Sequence, residues 1–124
     1  MKSYTDLEQS KKLAEILPLE SADFVWLTGH LHTDGPRYEV IRTRNEVSEP
    51  ENYWPCWSLA ALLSILPSVI TRNDKRMFLT MEKAGAYNLY YKSPDRLDEL
   101  WETDFEPIDV CYKIILDLHE QKLL

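Results

Sequence analysis

Three groups of residues in this chain have types and spacings that could do chemistry. The first surrounds Cys56, one of two cysteines, which stands between Trp54 and Trp57 near the start of residues 52–71, twenty positions without a charge. If Pro55 opens a helix there, Cys56 lies in its first turn, where unsatisfied backbone N–H groups lower a thiol pKa and favour the thiolate. Trp54, Cys56 and Trp57 would then border a small-ligand or hydrolytic pocket, with a histidine brought in by tertiary structure as base. A free cysteine that merely packs is the competing reading. The second group is His30, His32 and Asp34, which project to one side of an extended chain as metal ligands do. No distant fourth ligand accompanies them and Asp34-Gly35 signals a turn, so they read as a surface loop, and neither metal nor cofactor is expected.

The third group is acidic. Asp95, Asp98, Glu99, Glu102, Asp104, Glu106 and Asp109, set against Arg96 alone, account for six of the seven net negative charges. Such a run keeps a protein soluble. Its sharper reading is a surface, formed by Asp95, Asp98, Glu99, Glu102, Asp104 and Glu106, that receives a basic protein partner. An alternative is mimicry of nucleic-acid charge to block a DNA-binding enzyme. Acid–base catalysis would need one carboxyl held in an apolar pocket, and no sequence feature supplies it. Tyr87, Tyr90 and Tyr91, with Trp26 and Tyr38, could build an aromatic platform on an open sheet face, although alternation along a strand sends about half of them inward. There is no glycine-rich phosphate loop, CxxC pair, nucleophile elbow or HExxH. Net charge of −7 and a pI near 4.9 oppose direct binding to nucleic acid or to an anionic membrane surface.

These groups must be positioned by elements that the sequence outlines. Thr5-Asp6-Leu7-Glu8 matches a capping box and begins a helix stopped by Pro18. Residues 24–28 and 37–42 read as strands, joined through Asp34-Gly35, and 43–52 as a polar connector. The uncharged stretch contains a central helix over 55–66, opened by Pro55, closed by Pro67, and apolar nearly all round. Twelve residues rise about 18 Å, too short for a bilayer core of about 30 Å, so a buried helix is expected rather than a span. After a basic turn at 72–76, residues 77–81 and 87–91 read as a hairpin around Gly85. Ser93-Pro94, with Leu97, Leu100 and Trp101 at helical spacing, predicts a short helix. Pro107 opens a last helix whose stripe is Ile108, Cys111, Ile114, Ile115 and Leu118.

The order helix, two strands, helix, two strands, short helix, helix predicts an α+β fold. It has a mainly antiparallel four-stranded sheet, with helices on one face around a buried central helix. Residues 13–18 and 62–67 echo each other weakly, which fits either an αββ duplication or coincidence. With 124 residues and ordinary globular composition, one domain over 1–124 is expected. Two isolated cysteines and a first segment without an apolar signal region point to a cytoplasmic protein.

Residues 55–63 ending at Leu66-Pro67, together with 109–115 and Leu118-His119-Glu120, resemble a family of small uncharacterised proteins encoded by gut bacteria and their prophages or other mobile elements. The resemblance extends over residues 9–22. It implies a bacterial, mobile-element setting and brings no catalytic residue. The expectation is therefore a small non-catalytic interaction protein, of unknown oligomeric state, with the ligand-binding and mimic readings as alternatives.

Overall fold

The computed structural model describes residues 1–30, 37–43 and 53–124. The Asp34-Gly35 turn, His32, Asp34 and most of the 43–52 connector lie outside the described residues. The chain is α+β, with two antiparallel sheets, one of them four-stranded. It divides into two compact units, Tyr4–Ala61 and Met1–Ser3 with Leu62–Leu124.

In the first unit, α1 (Leu7–Ala14) is followed by a 3₁₀ turn at Leu19–Ser21 and then by β1 (Phe24–His30), β2 (Arg37–Thr43) and β3 (Tyr53–Cys56). β1 lies between β2 and β3, antiparallel to both, with Trp26 opposite Ile41 and Trp54. The expected pairing of the first two strands is present. The cap of α1 is Asp6 and not Thr5, with Asp6 and Gln9 completing the reciprocal box one residue later than expected. Thr5 is needed elsewhere, because its backbone N–H donates to Trp57 O at 3.0 Å and its hydroxyl is buried.

The central helix, α2, covers Leu59–Ile65, shorter than the expected 55–66. Pro55 sits instead in edge strand β3 opposite Val25, where a residue without an N–H costs no ladder bond on the open side. The start of α2 is set by Ser58, whose Oγ accepts from Ala61 N at 3.2 Å and donates to Asp23. Leu62 and Leu66 are buried, while Leu63 is exposed.

The second unit is built on β4 (Val69–Arg72), β5 (Lys75–Ala84), β6 (Ala86–Lys92), β7 (Glu99–Asp104) and α3 (Pro107–Glu120), with sheet order β4-β5-β6-β7. β4 and β5 are joined through Asn73 and Asp74, both at positive φ, a turn whose twist suits a two-residue hairpin. The hairpin expected around Gly85 is present, with Gly85 at φ 78°. The short helix expected after Ser93-Pro94 is replaced by a loop and strand β7. Ser93 Oγ caps no helix: it donates to Asp95 and accepts from Asp98 N at 3.2 Å, while Arg96 takes φ 61°. Beyond the loop, Leu100 is buried and Trp101 exposed, the two-residue alternation of a strand.

α3 begins at Pro107, and Ile108, Cys111, Ile114, Ile115 and Leu118 are all fully buried, as the stripe required. It packs on β6 and β7. Replacing Ser58 by Ala should cost about 1 kcal/mol in urea unfolding, the usual value of a lost N-cap. A helix that began at Pro55 would leave this substitution nearly neutral.

Candidate functional site

In the cysteine group, Cys56 and Trp57 are packed in the core. Cys56 and Trp57 have no exposed surface, whereas Trp54 is over a third exposed. Thr5 organises the group. Its carbonyl accepts from Trp26 Nε1 at 3.0 Å and from Cys56 Sγ at 3.6 Å, and its Oγ1 accepts from Trp57 N at 3.1 Å and lies 2.8 Å from Ser10 Oγ. Trp57 Nε1 donates to Ser21 Oγ at 3.0 Å. Because Cys56 belongs to β3, no helix N-terminus lowers its pKa, and burial pushes the thiol up to about 11. Cys111 is pushed up to about 12 by burial alone. Trp54 turns to the surface, with the Lys11 ammonium 5.5 Å above its ring. The three residues are neighbours in sequence, yet Cys56 and Trp57 lie in the core while Trp54 lies at the surface.

The acidic segment is paired within its own unit, almost residue by residue. Asp95 meets Lys75 at 3.0 Å, Asp98 meets Arg72 at 2.6 Å, Glu99 meets Lys92 at 3.8 Å, Asp104 meets Lys113 at 2.9 Å and Asp109 meets Lys2 at 2.7 Å. Glu106 accepts from the Lys2 backbone N–H at 2.9 Å. Hydrogen bonds from Ser93 and the Leu97 N–H hold Asp95 down to about 2, and those from Arg72 and Asn73 lower Asp98. Arg72 and Lys113 also donate to the backbone carbonyls of Glu99 and Thr103, occupying acceptors on edge strand β7. Glu102 differs. It is hydrogen-bonded to Asp117 on α3, whose carboxyl is pushed up to about 6 by burial, by the Glu102 charge and hydrogen bond, and by Glu120.

The residues that converge without such partners lie on the other face of the four-stranded sheet. Register places Thr80 opposite Tyr90 and Tyr90 opposite Trp101, with Phe78 two positions before Thr80 on the same face. Met77, Leu89, Tyr91 and Leu100 take the opposite face and are buried. Phe78, Tyr90 and Trp101 thus sit on three adjacent strands and point outward, Phe78 44% and Trp101 54% exposed. Arg76 lies 5.6 Å over the Phe78 ring and Lys92 4.6 Å over the Tyr90 ring.

Of the expected platform, only Tyr90 is on this face. Tyr91 is buried and its hydroxyl donates to Pro67 O at 2.7 Å, Tyr87 shares the parity of Tyr91, and Trp26 belongs to the three-stranded sheet. Phe78 belongs to an expected strand whose buried parity the sequence leaves open, and Trp101 to a segment expected to be helical, so the sequence places neither on this face. Met77 and Leu100, their apolar neighbours, carry that signal.

The side chain of His30 and the positions of His32 and Asp34 lie outside the described residues. Among the described residues no group of His, Cys, Asp and Glu could hold a metal ion, and no helix is long and apolar enough to cross a membrane. Comparison with family models, curated proteins and solved structures finds no match for the chain.

Two outcomes follow from this geometry. At pH 8 a thiol held near pKa 11 should react with a disulfide reagent at least about a hundredfold more slowly than a free thiol, from its thiolate fraction alone. Cys56 should therefore label only as the protein unfolds, and rapid stoichiometric labelling of the native chain would restore the nucleophile. For Asp117, the folded state holds its proton more tightly than the unfolded chain. Its contribution is complete below about pH 4 and is lost as pH rises through about 6. Asp117→Asn should raise stability at pH 7.5 by about 1 kcal/mol, a value discounted for partial exposure. It should also flatten the change between pH 4 and 6, measured by urea unfolding at each pH.

Proposed function

We propose that the chain is a small non-catalytic interaction protein that binds a protein partner through the outer face of its four-stranded sheet. The observation that carries this reading is the row of outward aromatic side chains on β5, β6 and β7, with Arg76 and Lys92 stacked on two of the rings. Aromatic residues and arginine are the side chains most enriched in protein interfaces and their hot spots, and exposed contiguous apolar patches mark such sites. The acidic segment fits the same reading as a border: Glu99 lies on this face, Asp95, Asp98, Asp104 and Asp109 are engaged by local cations, Glu106 by the Lys2 backbone N–H and Glu102 by Asp117. Burial of both thiols removes the chemical reason for a Cys56 mechanism. The setting that accompanies this reading is a bacterial cytoplasm, in line with the resemblance to proteins of mobile elements.

A photocrosslinking phenylalanine analogue introduced at Thr80, in the centre of the face, tests this in cells of a native bacterial host. One defined protein adduct is expected, lost in Trp101→Ser and absent when the analogue replaces Lys12 on α1. No adduct from position 80, or equal adducts from both positions, would overturn the reading.

A further inference from the structure

We infer that the partner this face fits is a second copy of the same chain, stacked sheet on sheet about a two-fold axis running across the strands; the inference rests on the interaction reading above. Along β5 the outward residues are Arg76, Phe78, Thr80 and Glu82 in that order, a cation and an anion bounding an uncharged middle. At about 3.4 Å per residue the two charges are about 20 Å apart. A two-fold axis passing across the middle of β5 lays β5 of one copy over β5 of the other in the opposite direction. Arg76 of each copy then meets Glu82 of the other, giving two equivalent ion pairs. Among the described residues neither Arg76 nor Glu82 has an ion-pair partner within the chain.

Isologous contact demands a self-complementary surface of this kind, in which residue i meets j and j meets i. Tyr90 and Trp101 fall beside the axis, where their rings interdigitate with those of the other copy at the about 10 Å separation of packed sheets. The charge balance points the same way. The chain carries −7, so two copies repel in most orientations, yet this face holds Arg76 and Lys92 against Glu82 and Glu99, with Lys92 and Glu99 already paired at 3.8 Å. Nucleic acid lacks that match, since the face offers it no net positive charge. Four strands about 4.8 Å apart and about 20 Å long give a face of about 400 Å² in projection, at the low end for specific interfaces, so the dimer is reversible.

Sedimentation velocity of the full chain from about 1 to about 500 μM, bracketing a micromolar Kd, reads this directly. A monomer–dimer equilibrium is expected. Arg76→Glu and Glu82→Arg should each weaken it at least about tenfold, and Trp101→Ser should remove it. All three positions are exposed, so thermal midpoints should stay near that of the unaltered chain, separating interface loss from misfolding. Mixing the two single charge variants should restore a one-to-one dimer, and the double variant should self-associate within about threefold of the original, as coupled charges require. A chain that stays monomeric throughout, or a dimer indifferent to the charge reversals, overturns the inference. A crosslink from position 80 to a different protein would then leave the interaction reading standing, whereas no adduct at all would end both.

Discussion

The packing of α3 on one face of the four-stranded sheet is the constraint from which the rest of that unit follows. Ile108, Cys111, Ile114, Ile115 and Leu118 leave no surface exposed, and each aliphatic side chain so buried contributes about 1.5–3 kcal/mol before entropy is counted. The face beneath them supplies Met77, Leu89, Tyr91 and Leu100. A shift of any strand by one residue would exchange its two faces, so this burial pins the register. It also determines what remains outside. Fixing Met77, Leu89, Tyr91 and Leu100 inward turns Phe78, Tyr90 and Trp101 outward, and the aromatic face is the necessary reverse of the core.

How much of this the sequence reveals depends on whether local pattern and long-range pairing agree. In α3 they agree: a proline at the first position, a 3.6-residue apolar stripe and polar residues between them admit one reading. The Gly85 hairpin is equally plain, since positive φ and flanking strand formers coincide. At residues 93–101 they conflict. Leu97, Leu100 and Trp101 fit a helical face, yet Leu100 also fits the inward position of a strand, and pairing with β6 decides for the strand. Ser93-Pro94 reads as a cap only when the loop hydrogen bonds to Asp95 and Asp98 are unknown. Pro55 was ambiguous in the same way, because a first helical turn and an edge strand both tolerate a missing N–H.

The candidate site was less legible than the fold, and the reason is burial. Cys56 drew attention through residue type and through two neighbouring tryptophans, but reactivity depends on the surroundings of the sulfur, which residues distant in sequence provide. Thr5 and Ser10 enclose it, and Thr5 simultaneously holds Trp26 and the Trp57 backbone. One threonine thereby ties the approach to α1 to β1 and to the end of β3. The chemistry that the local sequence offers is absorbed by the fold of that unit.

The acidic segment shows the opposite case, in which charge was fully legible and its disposition was not. Alternation along β7 separates the segment into two environments. Glu99, Trp101 and Thr103 face outward, and Leu100, Glu102 and Asp104 face α3. Glu102 is therefore on the α3 side with Asp117, and burial together with the Glu102 charge raises the Asp117 carboxyl to about 6. Alternation along β7 keeps that pair off the outer face of the sheet. That pair is therefore not presented directly to a surface approaching the aromatic side. What such a surface meets is a neutral field of rings with a cation at one end and an anion at the other, so orientation, and not net attraction, decides what binds there.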